Sequence, residues 1–512
     1  MPRTRTPVAL RRRALVLVAA VLLALGLPQL PRADAAPAVL PLTVTNHSGR
    51  SGVHLYLLGV DLASNRLGYV DASGTFHAWS LPGPGGGPVA APDIAIPGPA
   101  DGASTTLRIP TGISGRVYFS YGSKLSFDLV SGGLVQPAPW NPADPNATIL
   151  FDWSEFTYSS SGLWINSSQV DQFAAPHQVS ATGSDGVTHS TGATVPGGRQ
   201  KIIDTLRATP GYARTVITGS DGSVLRVLGP GKATEMGLLS KTYLDPAIDR
   251  AWRTYATTTL TVAPFGEGLA TYRGRTEGDR LVFTDISGRR VASFAKPSTE
   301  DVWDCDGALA APNDQTVGPI ARTLCAALHR GNLATQQIQP GGRSAVATFY
   351  ASEPANLYSK VIHAHMADGK AYGFAFADVL EQESLVHSPS PTRAEMVLEA
   401  VGASGTGSSA PTEPPAPSAS ATAPPTTDPV VIGPGAGTTV TLTGRHPGYA
   451  TLVLGEGTEP GIVTVTVEGG TTSSAAVSGP SATRIDLAGP PGTRRVTITS
   501  TGALGPVAVQ LP

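Results

Sequence analysis

The chain has 512 residues, 36 of them basic and 38 acidic, for a formal net charge of −2. That balance removes the basic footprint expected of a nucleic-acid binder, and the length allows two or three domains. Only 14% of residues are charged while 59 are Gly and 45 Pro, which fits a turn-rich extracellular β protein better than a helical cytosolic enzyme.

Arg11, Arg12 and Arg13 precede the apolar run from Ala14 to Leu27, and Ala33-Asp34-Ala35 offers a small-x-small cleavage site. This is the pattern of a secretory signal over 1–35, by the general or the twin-arginine route, with an apolar core too short for a transmembrane span. No later segment is apolar enough to cross a bilayer. The expectation is a secreted, extracellular protein with no stable membrane insertion.

From 40 to about 180 the pattern is strand, turn, strand. Alternation over 41–46, an apolar run over 54–60 and a third strand over 66–70 end at the turn Asp71-Ala72-Ser73-Gly74. A Gly/Pro-rich loop fills 81–100, and strands resume over 105–109, 115–121 and 125–130. This is an antiparallel sandwich or barrel signature.

The stretch 151–173, FDWSEFTYSSSGLWINSSQVDQF, holds three carboxylates, Asp152, Glu155 and Asp171, around Trp153 and Trp164. Paired carboxylates perform acid and base chemistry on a glycosidic bond, indoles stack on sugar rings, and Thr157, Asn166 and Ser168 can bond sugar hydroxyls. An ordinary hairpin with a solvated acidic edge is the alternative reading. Inversion needs the two carboxyls about 6.5 to 9.5 Å apart. A tight turn over 159–162 would set Glu155 opposite Asn166 and leave Asp171 about 17 Å along the strand. The chemistry therefore predicts a wide loop over 159–166. Strand parity also separates Asp171 from Trp164, Asn166 and Ser168, so a bend must intervene near Gln169 or Val170. Glu155 shares a face with Phe151, Trp153 and Thr157, apolar surroundings that would suit a general acid. Asp152 points away and is read as structural, or as a second candidate for the base.

Helical spacing follows over 198–207, 245–252, 319–329 and 356–366, with strands over 257–262 and 343–350. Cys305 and Cys325, the two cysteines of the chain, read as one structural disulfide in an exported protein. Gly229-Pro230-Gly231-Lys232 lacks the spacing of a phosphate loop, and His363-x-His365 would point apart on a helix. No cofactor or metal is expected. The tract 403–429, rich in Pro, Ser, Thr and Ala, is an extended linker. The segment 430–512 reads as a small accessory β-sandwich with strands over 439–443, 462–467 and 494–499, and its single aromatic, Tyr449, gives it little with which to grip sugar.

The segments LPLTVTNHSGRSG, LGYVDASGTFHAW, GRVYFSYG, NPADPNATILFDWSEFTY, GLWINSSQVDQF, YLDPAIDRAW, CDGAL, IARTLCAAL and GKAYGFAFADV together resemble glycoside hydrolase family 64, the laminaripentaose-producing endo-β-1,3-glucanases. The resemblance covers roughly 40–402. It implies a mainly β fold with α/β: a thaumatin-like β-sandwich or barrel domain around 40–180, a mixed α/β domain around 190–350 and an open groove between them. It also implies an inverting enzyme that cleaves β-1,3-glucan as a monomer, with Glu155 as acid, Asp171 as base and Thr157, Trp164 and Ser168 in the groove. Ser168 departs from the threonine usual there. The residues by themselves add Asn166 and Trp153 as substrate contacts. The competing readings are a non-catalytic glucan-binding protein, which has no need of a carboxylate pair, and a structural surface protein, which would bury both indoles.

Overall fold

The computed structural model describes residues 37–266 and 269–402, together with the backbone of eight strands between 430 and 510. The predicted leader over 1–35 and the linker over 403–429 lie outside the described residues. The chain divides into two compact units, residues 1–407 and 408–512.

In the first unit the chain runs through β1 (Val39–Asn46), β2 (Val53–Asp61), β3 (Arg66–Val70), β4 (Phe76–Ala78), β5 (Ser104–Pro110), β6 (Ile113–Tyr121), β7 (Phe151–Ser159) and β8 (Gly162–Ser167). It continues through β9 (Gln172–Phe173), β10 (His177–Gly183), β11 (Thr188–Thr191), α1 (Gly198–Ala208), β12 (Val224–Leu228), α2 (Pro230–Glu235) and α3 (Asp245–Thr257). Then come α4 (Thr299–Asp304), α5 (Val317–His329), α6 (Leu357–His365), β13 (Leu385–Ser388) and β14 (Pro391–Leu398).

Two sheets face each other. One has the order β11-β10-β14-β1-β5, and the other runs β13-β8-β7-β6-β2-β3-β4 with the short strand Ile96–Pro97 beside β2. The pairing of β1 with β14, Leu42 opposite Ala394, is parallel and joins the start of the unit to its end. Between the sheets lie Leu42, Val44, Leu55, Leu57, Val117, Phe119, Phe156, Ile165, Val179 and Met396. Every second residue of β1 from Leu40 onward is buried, the alternation its sequence announces.

The outer face of the larger sheet carries a second cluster, with Tyr56, Leu58, Trp79, Tyr118, Phe151 and Trp153 under Leu125, Phe127 and Leu129. Phe151 and Trp153 belong to this cluster whereas Phe156 and Tyr158 belong to the sandwich core, so β7 presents its two parities to two different environments.

The helices gather around a third core, with β9, β12 and a five-stranded sheet that includes Tyr272–Glu277, Arg280–Thr284 and Arg290–Ala295. α5 buries Ile320, Leu324 and Leu328 at four-residue spacing, and Gly331 at φ 70° follows its end. Cys305 and Cys325 form a disulfide that ties the end of α4 to α5. The predicted strand over 343–350 is instead a 3-10 helix over Arg343–Thr348, in which only Ala345 is buried. Its apolar alternation is too short to select a sheet. Helices α2 and α4, six residues each, carry no periodic signal.

The second unit contains two four-stranded antiparallel sheets among its described residues, with Gly437–Leu442, Gly461–Val467 and Arg494–Ser500 side by side in one of them.

Candidate active site

The hairpin of β7 and β8 closes through Ser160 and Ser161, with Ser159 paired to Gly162. The predicted wide loop is therefore absent. Gly162 sits at φ 112°, and a Cβ there would lie 2.2 Å from the Ser388 carbonyl, so the tight turn is built on the one residue that fits against β13. Register then sets Glu155 opposite Asn166 and Thr157 opposite Trp164. All four side chains are partly exposed on the outer face of the sheet. The neighbouring strands extend this block. Arg116 and Ser114 of β6 lie beside Glu155 and Thr157, and Leu385 and His387 of β13 lie beside Asn166 and Trp164. Trp164 stacks on His387 with centroids 4.2 Å apart, and the Thr157 and Ser114 hydroxyls are 2.7 Å apart.

Glu155 is 35% exposed and is not in an apolar pocket. Arg116 donates to its Oε1 from Nε at 3.1 Å and from Nη2 at 2.9 Å. The Asn166 Nδ2 approaches Oε2 at 3.5 Å. The remaining Arg116 nitrogen, Nη1, donates to Gln136 Oε1 at 2.8 Å and to the Tyr118 hydroxyl at 3.2 Å, and Tyr118 in turn donates to Gln136. The guanidinium rests 4.9 Å from the centroid of the Trp153 ring. Burial opposes the charge on Arg116, but Tyr118, Glu155 and Asp171 outweigh it and raise its pKa above the ordinary value. Burial pushes the Tyr118 hydroxyl up as well.

Asp171 arrives by a different route. Regular pairing of β8 ends at Ser167. Ser168 bridges Tyr372, and the Gln169 amide donates to the Tyr372 carbonyl at 3.0 Å. The Tyr358 hydroxyl holds the Gln169 carbonyl at 2.7 Å. The chain bends at Val170 and Asp171, where strand parity required a bend, and β9 then pairs with β12. Gln172 Nε2 reaches the Phe151 carbonyl at 2.9 Å, so the bend returns to the start of β7 instead of continuing along the hairpin axis. Asp171 is 26% exposed, its carbonyl accepts from the Gly229 amide at 2.8 Å, and its Oδ1 lies 3.8 Å from Lys232 Nζ. Lys232 stands at 4.4 Å over the ring of Trp140. The charges of Asp171 and Glu155 both act on Arg116 and Tyr118.

Two expected sugar contacts move away from the surface. Trp153 is 2% exposed and supports Arg116 from beneath, because the segment carrying Leu125, Phe127 and Leu129 covers its face of the sheet. Ser168 is buried against Tyr372, because the chain after α6 lies alongside it. Asp152 is buried too. Its Oδ2 accepts from the amides of Ala174 and Ala175 at 2.9 and 3.0 Å, and burial raises its pKa to about 7. It anchors the return of the chain after Asp171, which leaves it no access to a substrate water.

Arg116, Gln136 and Lys232 are not legible as site residues from the sequence. Arg116 requires the β6–β7 register. Lys232 sits in the very Gly229-Pro230-Gly231-Lys232 segment whose spacing rules out a phosphate loop, and it serves as a brace for a carboxylate. Among the described residues, Cys305, Cys325 and His329 are the one group close enough to hold a metal, but both sulfurs are spent in the disulfide. His363 bonds the Gly369 carbonyl at 2.8 Å and belongs to no such group.

Comparison with known proteins gives one consistent result. The family model for glycoside hydrolase family 64, described as beta-1,3-glucanase, matches residues 38–398. Glucan endo-1,3-beta-glucosidases of Arthrobacter sp. (strain YCWD3) and Cellulosimicrobium cellulans are each 44% identical over 372 residues, covering 72% of this chain and 66% of theirs. The match therefore spans just under two thirds of those relatives. A crystal structure of a laminaripentaose-producing β-1,3-glucanase in complex with laminaritetraose is 50% identical at a TM-score of 0.68, covering 72% of this chain and 100% of that one. A β-1,3-glucanase domain from Clostridium beijerinckii is 25% identical at a TM-score of 0.60, covering 71% and 99%.

Proposed function

The chain belongs to glycoside hydrolase family 64, the β-1,3-glucanases, and from that premise we propose that it is a secreted endo-acting hydrolase of β-1,3-glucan that inverts the anomeric centre. In this reading Glu155 Oε2 carries the proton delivered to the leaving glycosidic oxygen as the bond from C1 to that oxygen breaks. Asp171 takes a proton from the water whose oxygen forms the new bond to C1. Solvent exchange then restores both groups. Thr157, Trp164 and Asn166 bind the sugar, with the Trp164 ring as a stacking platform.

The observation that carries this reading is the four-residue block on the outer sheet face. Register places Glu155, Thr157, Trp164 and Asn166 together, partly exposed, and the charge of Asp171, like that of Glu155, acts on Arg116. Such a pair is superfluous in a protein that only binds glucan. The wider layout belongs to the same proposal: a signal over 1–35, a thaumatin-like β domain and a mixed α/β domain making one groove in a monomer, a linker over 403–429, and an accessory module over 430–512.

Incubating the mature protein with soluble linear β-1,3-glucan tests the reading. Wild type is expected to release oligosaccharides, and Glu155→Gln and Asp171→Asn to lose about 10² to 10⁴ in rate while still binding the polymer. Binding without cleavage by wild type would reduce the protein to a glucan-binding module.

A further inference from the structure

We infer that Arg116 is a positioning residue for the acid: it saturates Oε1 of Glu155 and leaves Oε2 as the oxygen from which a proton can be delivered. This inference rests on the proposed hydrolase reading and adds a residue to it.

The geometry is specific. Nε and Nη2 of one guanidinium converge on a single carboxylate oxygen at 3.1 and 2.9 Å, while Oε2 has only the Asn166 amide at 3.5 Å. A proton on Oε1 would face two N–H donors at hydrogen-bonding distance, so it belongs on Oε2. The guanidinium is itself held on its other sides. Gln136 Oε1 and the Tyr118 hydroxyl take Nη1, and the Trp153 ring lies under the plane. A side chain so fixed loses little further entropy when it orients Glu155. This gives the buried Trp153 and Tyr118 a purpose that sugar stacking does not.

The charge has a second consequence. When Glu155 gives up its proton, the carboxylate formed already faces a cation, which stabilises the state after transfer. The ionisable groups around the pair are few. Arg116 and Tyr118 come from β6, Asp171 comes from the bend with Lys232 of α2 behind it, and Tyr372 comes from the chain after α6. Burial raises Tyr372 well above its usual value, with Asp378, Glu155 and Glu383 adding to it, so it stays a neutral hydroxyl. Among the described residues, Arg116 is therefore the cation in direct contact with Glu155.

The test is kcat and KM on soluble linear β-1,3-glucan for the full chain, Arg116→Met and Arg116→Lys, with the folded fraction of each read by circular dichroism. In Arg116→Met, kcat per folded enzyme is expected to fall about 10²-fold with little change in KM, because the acid loses the fork that orients it. Arg116→Lys keeps the charge but not the fork. Its kcat should recover in part and stay several-fold below wild type. A merely structural role would lower the amount of folded enzyme without lowering kcat per folded molecule. An active wild type whose kcat is unchanged in Arg116→Met would overturn the role of Arg116 alone, whereas an inactive wild type would overturn the hydrolase reading beneath it. Should Arg116→Met fail to fold, Arg116→Lys decides, and a wild-type kcat in that variant would contradict the inference.

Discussion

Glu155 and Asp171 stand on opposite kinds of support. Glu155 occupies an interior position of β7, with ladder partners on both sides, Arg116 and Asn166. Its direction follows from strand parity and would survive many changes elsewhere. Asp171 sits on a bend between two short pairings, fixed by Gly229, Lys232 and the anchors Asp152, Tyr358 and Tyr372. A sheet therefore places one carboxylate and long-range loop contacts place the other. The difference teaches where the proposed site is vulnerable: the placement of Glu155 depends on its own ladder and on the Arg116 beside it, that of Asp171 on contacts arriving from distant segments.

The sharpest way to break this comparison is Gly229→Ala. A Cβ there would lie 2.1 Å from the Val170 carbonyl, so the bend must shift while the β7 ladder stays intact. A displacement near 1 Å can cost about 10²-fold in rate, so kcat should fall towards that extent with the fold retained in circular dichroism. Unchanged kcat would mean the bend does not position the base.

Trp164→Ala tests the sheet-built half. Losing one stacking face is expected to raise KM roughly three- to tenfold with a smaller effect on kcat, read from steady-state kinetics. Lys232→Met sharpens the loop-built half. Its ammonium lies 3.8 Å from Asp171 and is 19% exposed, so a fall in kcat of only a few-fold is expected.

Asp152→Asn separates anchoring from chemistry, through stability. The folded-state pKa of Asp152 is raised from 3.8 to about 7 by burial, so the native state binds more protons than the unfolded chain between those values. Its contribution is fully present below about pH 4 and is lost as pH rises towards 7. The variant should show a weaker decline of stability across that window than wild type, by up to about 4 kcal/mol, measured by denaturant unfolding at each pH. Parallel curves would mean that Asp152 does not titrate there.

The same division explains what the sequence could reveal. Alternation in β1, the turn after β3, the period of α5 and the two faces of β7 are local patterns, each legible from its own residues. The block of Glu155, Thr157, Trp164 and Asn166 is readable for that reason, and so is the need for a bend before Asp171. The wide loop is a wrong remedy for the distance between the carboxylates. The chain instead leaves the hairpin axis after Ser167, and it does so with partners such as Tyr372, 203 residues from Gln169. Exposure is equally hidden. Trp153 and Trp164 are alike in sequence, yet a separate segment covers one and leaves the other partly open.

Stereochemistry tests the acid and base pair most directly. Proton NMR during the first minutes of hydrolysis of linear β-1,3-glucan would read the anomer released before mutarotation. An acid and a base acting across an interposed water predict the α-anomer. The β-anomer as first product would mean that one carboxylate attacks the sugar directly, and would contradict Glu155 as acid and Asp171 as base in an inverting site.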